Sequence, residues 1–255
     1  MTIIDTHAHV DQLEDLPNAL QRAHEAGVSD IVAMSVDLDS MKKLVGIAQQ
    51  YQQPKIHLSL GVHPGMIESQ TKPSALDFMR EHSPQACSIG ETGLDYWYKW
   101  ARKDEAVRQK QKDFFAVHLD LAREFDLPIV IHSRGAWQDC LKLTKTAGVV
   151  RALFHWYSGP EDILDQILDA GFYVSSSPSV AYSPESRRAM ARAPLERILI
   201  ETDSPVNYKD GETFFKAEPK DVTRTWKALA QLKNMDEEEV LAVVNTNAKT
   251  FFGIK

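Results

Sequence analysis

Eight short apolar runs that favour β-strands recur along the chain, and helical spacing lies between them. The runs begin at Ile3, Asp30, Ile56, Ala86, Pro128, Val150, Gly171 and Arg197. The helical spacing is clearest at residues 16–26, 114–125 and 163–170. Strands that alternate with helices pair in parallel. Eight such repeats in 255 residues predict a (β/α)8 barrel of the TIM type. A doubly wound open sheet is the alternative. The strand count and the lack of a glycine-rich phosphate loop after the first run favour the barrel.

Length and composition fit one globular domain, which we expect to span residues 1–255. Hydrophobic residues make up 43% of the chain and charged residues 25%, and no linker or low-complexity segment divides it. We expect a cytoplasmic protein without a membrane span, because there is no leader and no apolar run of about 18 residues. Cys87 and Cys140 are the only cysteines, which excludes a disulfide framework. No obligate protein partner is indicated.

The net charge of −7 argues against a protein that tracks long duplexes by general attraction. An anionic substrate would therefore have to be attracted locally, by metal ions or by a basic rim.

Histidine, aspartate and glutamate residues stand at the carboxyl ends of six of the eight runs. They are His7 and His9 on the first run, His63 after the third, Glu91 on the fourth, His132 on the fifth, His155 on the sixth and Asp203 on the eighth. A single residue of this kind is more often a hydrogen-bonded structural group or a helix cap than a ligand. In a barrel, however, all these ends meet at the face where active sites lie. Their coincidence predicts a functional site.

The spacing of these residues also predicts which side chains point the same way. His7 and His9 are two residues apart, so a strand presents both on one face, with Asp5 below them. Glu201 lies two residues before Asp203 on the same face, so it is expected to lie one layer beneath Asp203, as a supporting or barrel-core residue and not as a direct ligand. Imidazole ligands suit Zn, Mn, Fe, Co or Ni. One catalytic zinc takes three protein ligands, so four histidines and two carboxylates suit two ions. Such a site would stabilise an anionic transition state, as in phosphodiester hydrolysis.

Six short motifs contain the candidate residues and follow one another along the chain. They are DTHAH at Asp5–His9, GVHP at Gly61–Pro64, GETGLD at Gly90–Asp95, LPIVIHSR at Leu127–Arg134, HWYSG at His155–Gly159 and ETDSP at Glu201–Pro205. A single D-x-H-x-H motif is weak, but all six in this order are specific. Together they resemble the TatD family of metal-dependent hydrolases, a branch of the amidohydrolase-type barrels.

The resemblance implies a TIM-type barrel with two divalent metal ions (Zn, Mn or Mg), and a third in some members. The metal ligands that it implies are His7, His9, Glu91, His132, His155 and Asp203. Glu91 would bridge the ions, and His63 would contact the substrate or the transition state. The implied activity is that of a deoxyribonuclease, often a 3′–5′ exonuclease. Some relatives cleave esters on tRNA, so membership indicates the machinery better than the substrate.

The ligand types at the strand ends and the family resemblance agree with one mechanism. A water that bridges the two ions would attack phosphorus, and Asp203 would take its proton as the general base. Glu91 belongs to the catalytic set as the shared ligand. His63 would help to stabilise the charge that develops.

Contacts to the substrate are expected in the loops at the same end of the barrel. The candidates are Asp95, Tyr96, Trp97 and Arg134. The segment YWYKW, residues 96–100, is either a stacking platform for the unpaired bases of single-stranded DNA ends or a lid packed on its neighbours. The chain departs from the family pattern here, at Trp156 and Tyr157, and in the segment after ETDSP.

Two other functions remain open. The first is hydrolysis of an ester or amide, such as aminoacyl-tRNA deacylation, because attack on a carbonyl also creates an oxyanion. The second is non-catalytic metal binding.

Overall fold

Eight parallel strands, β1 to β8, lie side by side in the order of the sequence. The computed structural model describes residues 2–67 and 73–255. The strands are β1 (Ile3–Ala8), β2 (Val28–Met34), β3 (Lys55–Leu60), β4 (Ala86–Asp95), β5 (Ile129–Arg134), β6 (Ala152–Phe154), β7 (Tyr173–Ser176) and β8 (Ile198–Ile200). A parallel bridge between Ala8 and Ser204 joins the first strand to the segment after the last one; we call this contact the seam. The predicted (β/α)8 barrel is confirmed, and the open-sheet alternative is wrong.

Helices surround the strands, and a small hairpin follows β8. The helices are α1 (Leu16–Glu25), α2 (Leu38–Gln50), α3 (Pro73–His82), α4 (Glu105–Glu124), α5 (Trp137–Ala147), α6 (Glu161–Asp169), α7 (Pro184–Arg192), α8 (Val222–Lys233) and α9 (Glu237–Phe252). The hairpin is formed by β9 (Asn207–Asp210) and β10 (Thr213–Lys216). Helix α4 begins well before the predicted spacing at residue 114, because the Asp104 side chain caps its first turn by accepting from the Val107 N–H. Among the described residues, no helix is long and apolar enough to cross a bilayer.

Among the described residues, the apolar core has two parts. The larger part lies between the strands and the helices, and the smaller part fills the barrel interior. Ile4, Val130 and Leu199 belong to the interior, and Phe251 at the end of α9 packs with them. Helix α9 therefore covers the amino-terminal end of the barrel and leaves the carboxyl ends of the strands free for polar side chains.

Strand β4 passes close to the backbone of β5 at Gly93. A Cβ atom there would overlap the carbonyl group of His132, and the φ angle of +139° favours glycine. We expect Gly93→Ala to lower the free energy of unfolding by about 3 kcal/mol. The midpoint of thermal unfolding should fall by roughly 6–12 °C.

Gly46→Ala is the matched control for this prediction. Gly46 is exposed in α2, and no atom lies within 4 Å of an added Cβ. This change should stabilise the helix by about 0.5–1 kcal/mol. Equal melting of the two variants would show that Gly93 imposes no constraint on the barrel.

Candidate metal centre

The structure brings the six predicted metal ligands together at the carboxyl ends of the strands. They are His7, His9, Glu91, His132, His155 and Asp203, and their side chains are buried or nearly so. Ala8 and Ser204 form the seam, so residues from the first and last strands meet directly. The Asp203 N–H donates to the His7 carbonyl at 2.9 Å, and the His9 N–H donates to the Ser204 carbonyl at 2.8 Å.

Glu91 lies between two pairs of imidazoles. Its Oε1 atom is 2.8 Å from His132 Nδ1 and 2.8 Å from His155 Nε2. Its Oε2 atom is 3.4 Å from His7 Nε2 and 3.3 Å from His9 Nε2. Each carboxylate oxygen therefore faces its own pair of ring nitrogens, which is the arrangement that a carboxylate shared by two cations requires.

Asp203 completes the group on the side of the first strand. Its Oδ1 atom is 3.4 Å from His7 Nε2 and 3.3 Å from His9 Nε2. These three residues offer ligand atoms within 4.8 Å of one another, as a bound cation needs.

Acceptors outside the group fix the tautomers of two histidines. The Nδ1 atom of His9 lies 3.0 Å from the Met34 carbonyl, and Nε2 of His132 lies 3.0 Å from Asp95 Oδ2. In the neutral ring, the proton on each of these atoms leaves the other ring nitrogen with a lone pair directed at the centre. Such outer hydrogen bonds are what orient histidine ligands in metal sites.

Glu201 supports His155 in the same way. Its Oε1 atom is 3.4 Å from His155 Nδ1, and its Oε2 atom accepts from the Ser175 hydroxyl at 2.6 Å. By distance alone, Glu201 could also hold a cation with His7 and His155. The hydrogen bond from Ser175 and the position behind the His155 ring agree better with the predicted supporting role.

His7 provides a direct test of whether a cation fits. The ring is fully buried and stacks on His155 at 4.1 Å between centroids. Neither of its nitrogens has a hydrogen-bond partner among the described residues. Burial lowers the pKa of His7, so the ring is neutral. A buried polar atom without a partner is costly, and a cation at Nε2 would satisfy it. The residues therefore fit divalent cations that accept imidazole and carboxylate ligands.

The two carboxylates of the centre are charged. Burial alone would raise the pKa of Glu91, but the histidines around it, His155 first, hold that pKa well below its usual range. Burial opposes ionisation of Asp203 as well, but the hydrogen bond from His9 and electrostatic interactions with His7, His9 and His155 together lower the Asp203 pKa. Burial likewise works against the His9 cation, yet Asp203 and Glu91 raise the pKa of His9 to about 10. A divalent cation would have to displace that proton.

His63 differs from the other histidines in the proton it presents. Its Nδ1 atom accepts from the Gly65 N–H at 2.9 Å, and burial lowers the pKa of His63 to about 3. The neutral ring must then carry its proton on Nε2, which lies 3.7 Å from Glu91 Oε1. Distance alone groups His63 with Glu91 and His132 as a set that could hold a metal. The tautomer instead makes His63 a hydrogen-bond donor to the centre.

Two cavities meet at the centre, and His132 and Asp203 line both. The smaller cavity, of about 250 Å³, extends past His63. The larger cavity, of about 880 Å³, has aromatic and cationic walls. These walls include Trp97, Trp137, Trp156, Tyr182, Arg134 and Arg188.

The structure separates the four loop residues that were predicted, besides His63, to contact the substrate. Trp97 is 63% exposed and lines the larger cavity with Arg134, whose guanidinium carbon lies 5.8 Å from the Trp97 ring centre. Asp95 is fully buried and accepts from His132 and from Arg134. Tyr96 is buried and donates to Asp139 at 2.7 Å. Asp95 and Tyr96 thus line neither of the two cavities and support their neighbours.

Sequence reasoning missed the aromatic residues that other loops add to the larger cavity. Trp137 follows β5, Trp156 follows His155, and Tyr182 lies after β7. Their position after the carboxyl ends of strands was the available signal. The sequence marks Trp156 only as a departure from the family motif.

The chain is similar to proteins that are named as metal-dependent hydrolases and deoxyribonucleases, which agrees with a site of histidines and carboxylates. The family model described as TatD related DNase matches residues 4–253. The chain is 27% identical to the human deoxyribonuclease TATDN3, over 98% of this chain and 94% of the relative. It is 28% identical to a metal-dependent hydrolase named TatD from Mycobacterium tuberculosis, over 99% and 98% of the two chains. The crystal structure of YjjV, a TatD homologue from Escherichia coli K12, matches with a TM-score of 0.90 and 25% identity, over 99% of this chain and 98% of that one. The chain belongs to the TatD-related DNase family.

Proposed function

We propose that this protein is a divalent-metal-dependent hydrolase that cleaves phosphodiester bonds at single-stranded ends of DNA, in the manner of a 3′–5′ exonuclease. The position of Glu91 between two pairs of imidazoles carries the proposal, because it suits two cations that share one carboxylate. Membership in the family and the deoxyribonuclease name of the human relative support a nucleic-acid substrate.

The chain would hold one cation through His7, His9 and Asp203 and the other through His132 and His155, with Glu91 shared. When bound, the cations supply Lewis-acid stabilisation of the charge on the phosphoryl group. The four imidazoles favour Zn or Mn over Mg.

Asp203 and His63 have different roles at the reacting phosphoryl group. Asp203 is ionised and lines both cavities, so its carboxylate can take the proton of the attacking water. His63 lines the smaller cavity with an N–H on Nε2, and that group can donate to the oxygen on which charge develops.

The larger cavity suits an unpaired strand. Bases that are not stacked in a duplex expose faces that can pack on Trp97, Trp137 or Trp156. Arg134 and Arg188 line this cavity and offer guanidinium donors to phosphates, while each also pairs with a carboxylate, Asp95 and Glu185 respectively.

Trp97→Ala is expected to raise KM for a single-stranded oligonucleotide about 5- to 150-fold, because one stacked base is lost. Steady-state cleavage of a labelled oligonucleotide measures this. Phe214→Ala is the matched control, since Phe214 is also exposed, at 66%, and lines neither cavity. A KM that stays at the wild-type value in Trp97→Ala would remove this side chain from the substrate surface.

A substrate panel tests the proposed function as a whole. The panel contains single-stranded DNA, bis-p-nitrophenyl phosphate, aminoacyl-tRNA and cyclic amides, each with added Mn or Zn and each repeated with chelator. We expect cleavage of the first two, and its loss with chelator. Cleavage of aminoacyl-tRNA alone would favour the ester hydrolase. A metal-loaded protein that is inert to all four would favour non-catalytic metal binding.

A further inference from the structure

Helix α4 carries two buried polar side chains that the proposed reaction does not use, Gln111 and His118. They lie two turns apart and therefore on the same face of the helix. Gln111 accepts from the Asp95 N–H at 3.0 Å and donates to the Asp95 carbonyl at 3.2 Å. His118 Nε2 accepts from the Val62 N–H at 3.1 Å. This face of α4 thus holds the backbone of two segments that carry residues of the centre.

The imidazole of His118 is held in a single neutral state. Its Nδ1–H donates to the Phe114 carbonyl at 2.9 Å, which leaves the lone pair on Nε2 for the Val62 N–H. Burial lowers the pKa of His118 to about 4. Val62 is itself buried, so its N–H would lose its partner in a site without water if the imidazole were removed.

Val62 directly precedes His63, and neighbouring hydrogen bonds fix the rest of this short segment. The Gly61 N–H donates to Ser35 Oγ at 2.9 Å, and the His63 N–H donates to the Val36 carbonyl at 2.9 Å. Three consecutive backbone N–H groups are therefore tied down, and His118 holds the middle one. A shift at Val62 would be passed to the His63 ring, whose Nε2 faces Glu91 at 3.7 Å.

We propose that His118 is a positioning residue for the reaction, which sets the His63 ring against the metal centre through its hydrogen bond to the Val62 N–H. The proposal rests on the proposed function, because its readout is turnover at that centre. His118 lines neither cavity, so it acts indirectly, and its Nε2 atom contacts the segment that carries His63.

His118→Leu and His118→Gln separate this role from simple packing. The Leu side chain fills much of the space of the imidazole but offers no hydrogen-bond acceptor to the Val62 N–H. The Gln side chain restores an acceptor through its amide oxygen. We expect His118→Leu to lower kcat about tenfold to 100-fold with KM within about twofold, since a small displacement of a reacting group has this effect. His118→Gln should recover kcat to within about threefold of wild type. His118→Phe, which also lacks an acceptor, replaces His118→Leu if that variant does not fold.

His82→Leu is the matched control. His82 also lies four residues after a phenylalanine, with its Nδ1 3.1 Å from the Phe78 carbonyl and its ring stacked on Phe78 at 4.0 Å. The described part of the chain offers no hydrogen-bond partner to its Nε2 atom. We expect kcat within about twofold of wild type, because no segment of the centre depends on this ring.

A double variant tests whether His118 acts through His63. In a His63→Ala background, adding His118→Leu should change kcat by less than about twofold, because the group that it positions is already gone. Losses that multiply would show a general structural role and overturn the proposal. So would a loss of bound metal in His118→Leu, or wild-type kcat in both His118→Leu and His118→Phe. Inactivity of the wild-type protein on the whole panel would instead contradict the proposed function itself.

Discussion

Asp203→Asn is expected to lower kcat for single-stranded DNA about 10²- to 10⁴-fold, with KM within about threefold of wild type. The amide keeps the shape of the carboxylate but cannot take a proton. The Asp203 side chain lines both cavities, and the hydrogen bond from His9 helps to keep it ionised, so it is placed and charged as a base must be.

The same substitution also removes a candidate metal ligand, so bound metal must be measured beside turnover. Asp203 Oδ1 faces the Nε2 atoms of His7 and His9. If excess Mn restores turnover in Asp203→Asn, the carboxylate serves ligation alone. Asp210→Asn is the control, because Asp210 is exposed in the hairpin that follows and pairs with Arg224. Wild-type turnover in Asp203→Asn would exclude both roles.

Replacing His7 and His9 together with Ala is expected to remove one metal ion per chain and to abolish turnover, while the barrel still folds. These two residues supply both imidazoles that face Oε2 of Glu91. The pair that faces Oε1 remains and should keep the second ion. Elemental analysis of protein purified without added metal counts the ions, and circular dichroism reports the fold.

Thermal unfolding gives a readout that does not depend on activity. A ligand that binds only the folded state at about 1,000 times its Kd stabilises it by about 4 kcal/mol. Two such ions should stabilise the wild-type protein by about 8 kcal/mol, so chelator should lower its Tm by roughly 16–32 °C. The shift should be about half as large in the double variant. Unchanged metal content in that variant would show that His7 and His9 are not ligands.

The barrel could be predicted from sequence because its signal is repeated eight times. Each strand is marked by a short apolar run and by the polar residue or turn at the end of that run. An error in the bounds of one strand therefore does not change the number of strands predicted. The hairpin after β8 was missed, although its signal was present. The dipeptide Asp210–Gly211 stands between two alternating segments, and Gly211 adopts the φ of +61° that tight hairpin turns require.

The sequence predicts that the candidate ligands meet, because they all stand at the carboxyl ends of strands. It does not predict which ring nitrogen of each histidine carries the proton. The proton positions of His9 and His132 depend on Met34 and Asp95, which are distant in sequence. His63 was predicted to contact the substrate, and only the Gly65 N–H indicates which of its nitrogens carries the proton.

The sequence also does not predict the separate roles of the residues in the aromatic segment YWYKW. Nothing in YWYKW distinguishes the exposed Trp97 from the buried Tyr96. The difference arises because Asp95 Oδ1 accepts from the Trp97 N–H and Asp139 accepts from the Tyr96 hydroxyl. Both acceptors are fixed by packing, and such contacts leave no periodic pattern in the sequence.

The seam has a consequence for how the protein is made. His7 and His9 leave the ribosome early, and Asp203 leaves it only after almost all of the barrel. Until then, the nascent chain lacks Asp203 and the segment after β8 that pairs with β1 through Ala8 and Ser204. Contacts between such distant residues form late, because the loop that they close is long. A ribosome-bound or truncated chain therefore cannot assemble the complete centre, and nucleic acids near the site of synthesis stay out of its reach until the barrel has closed.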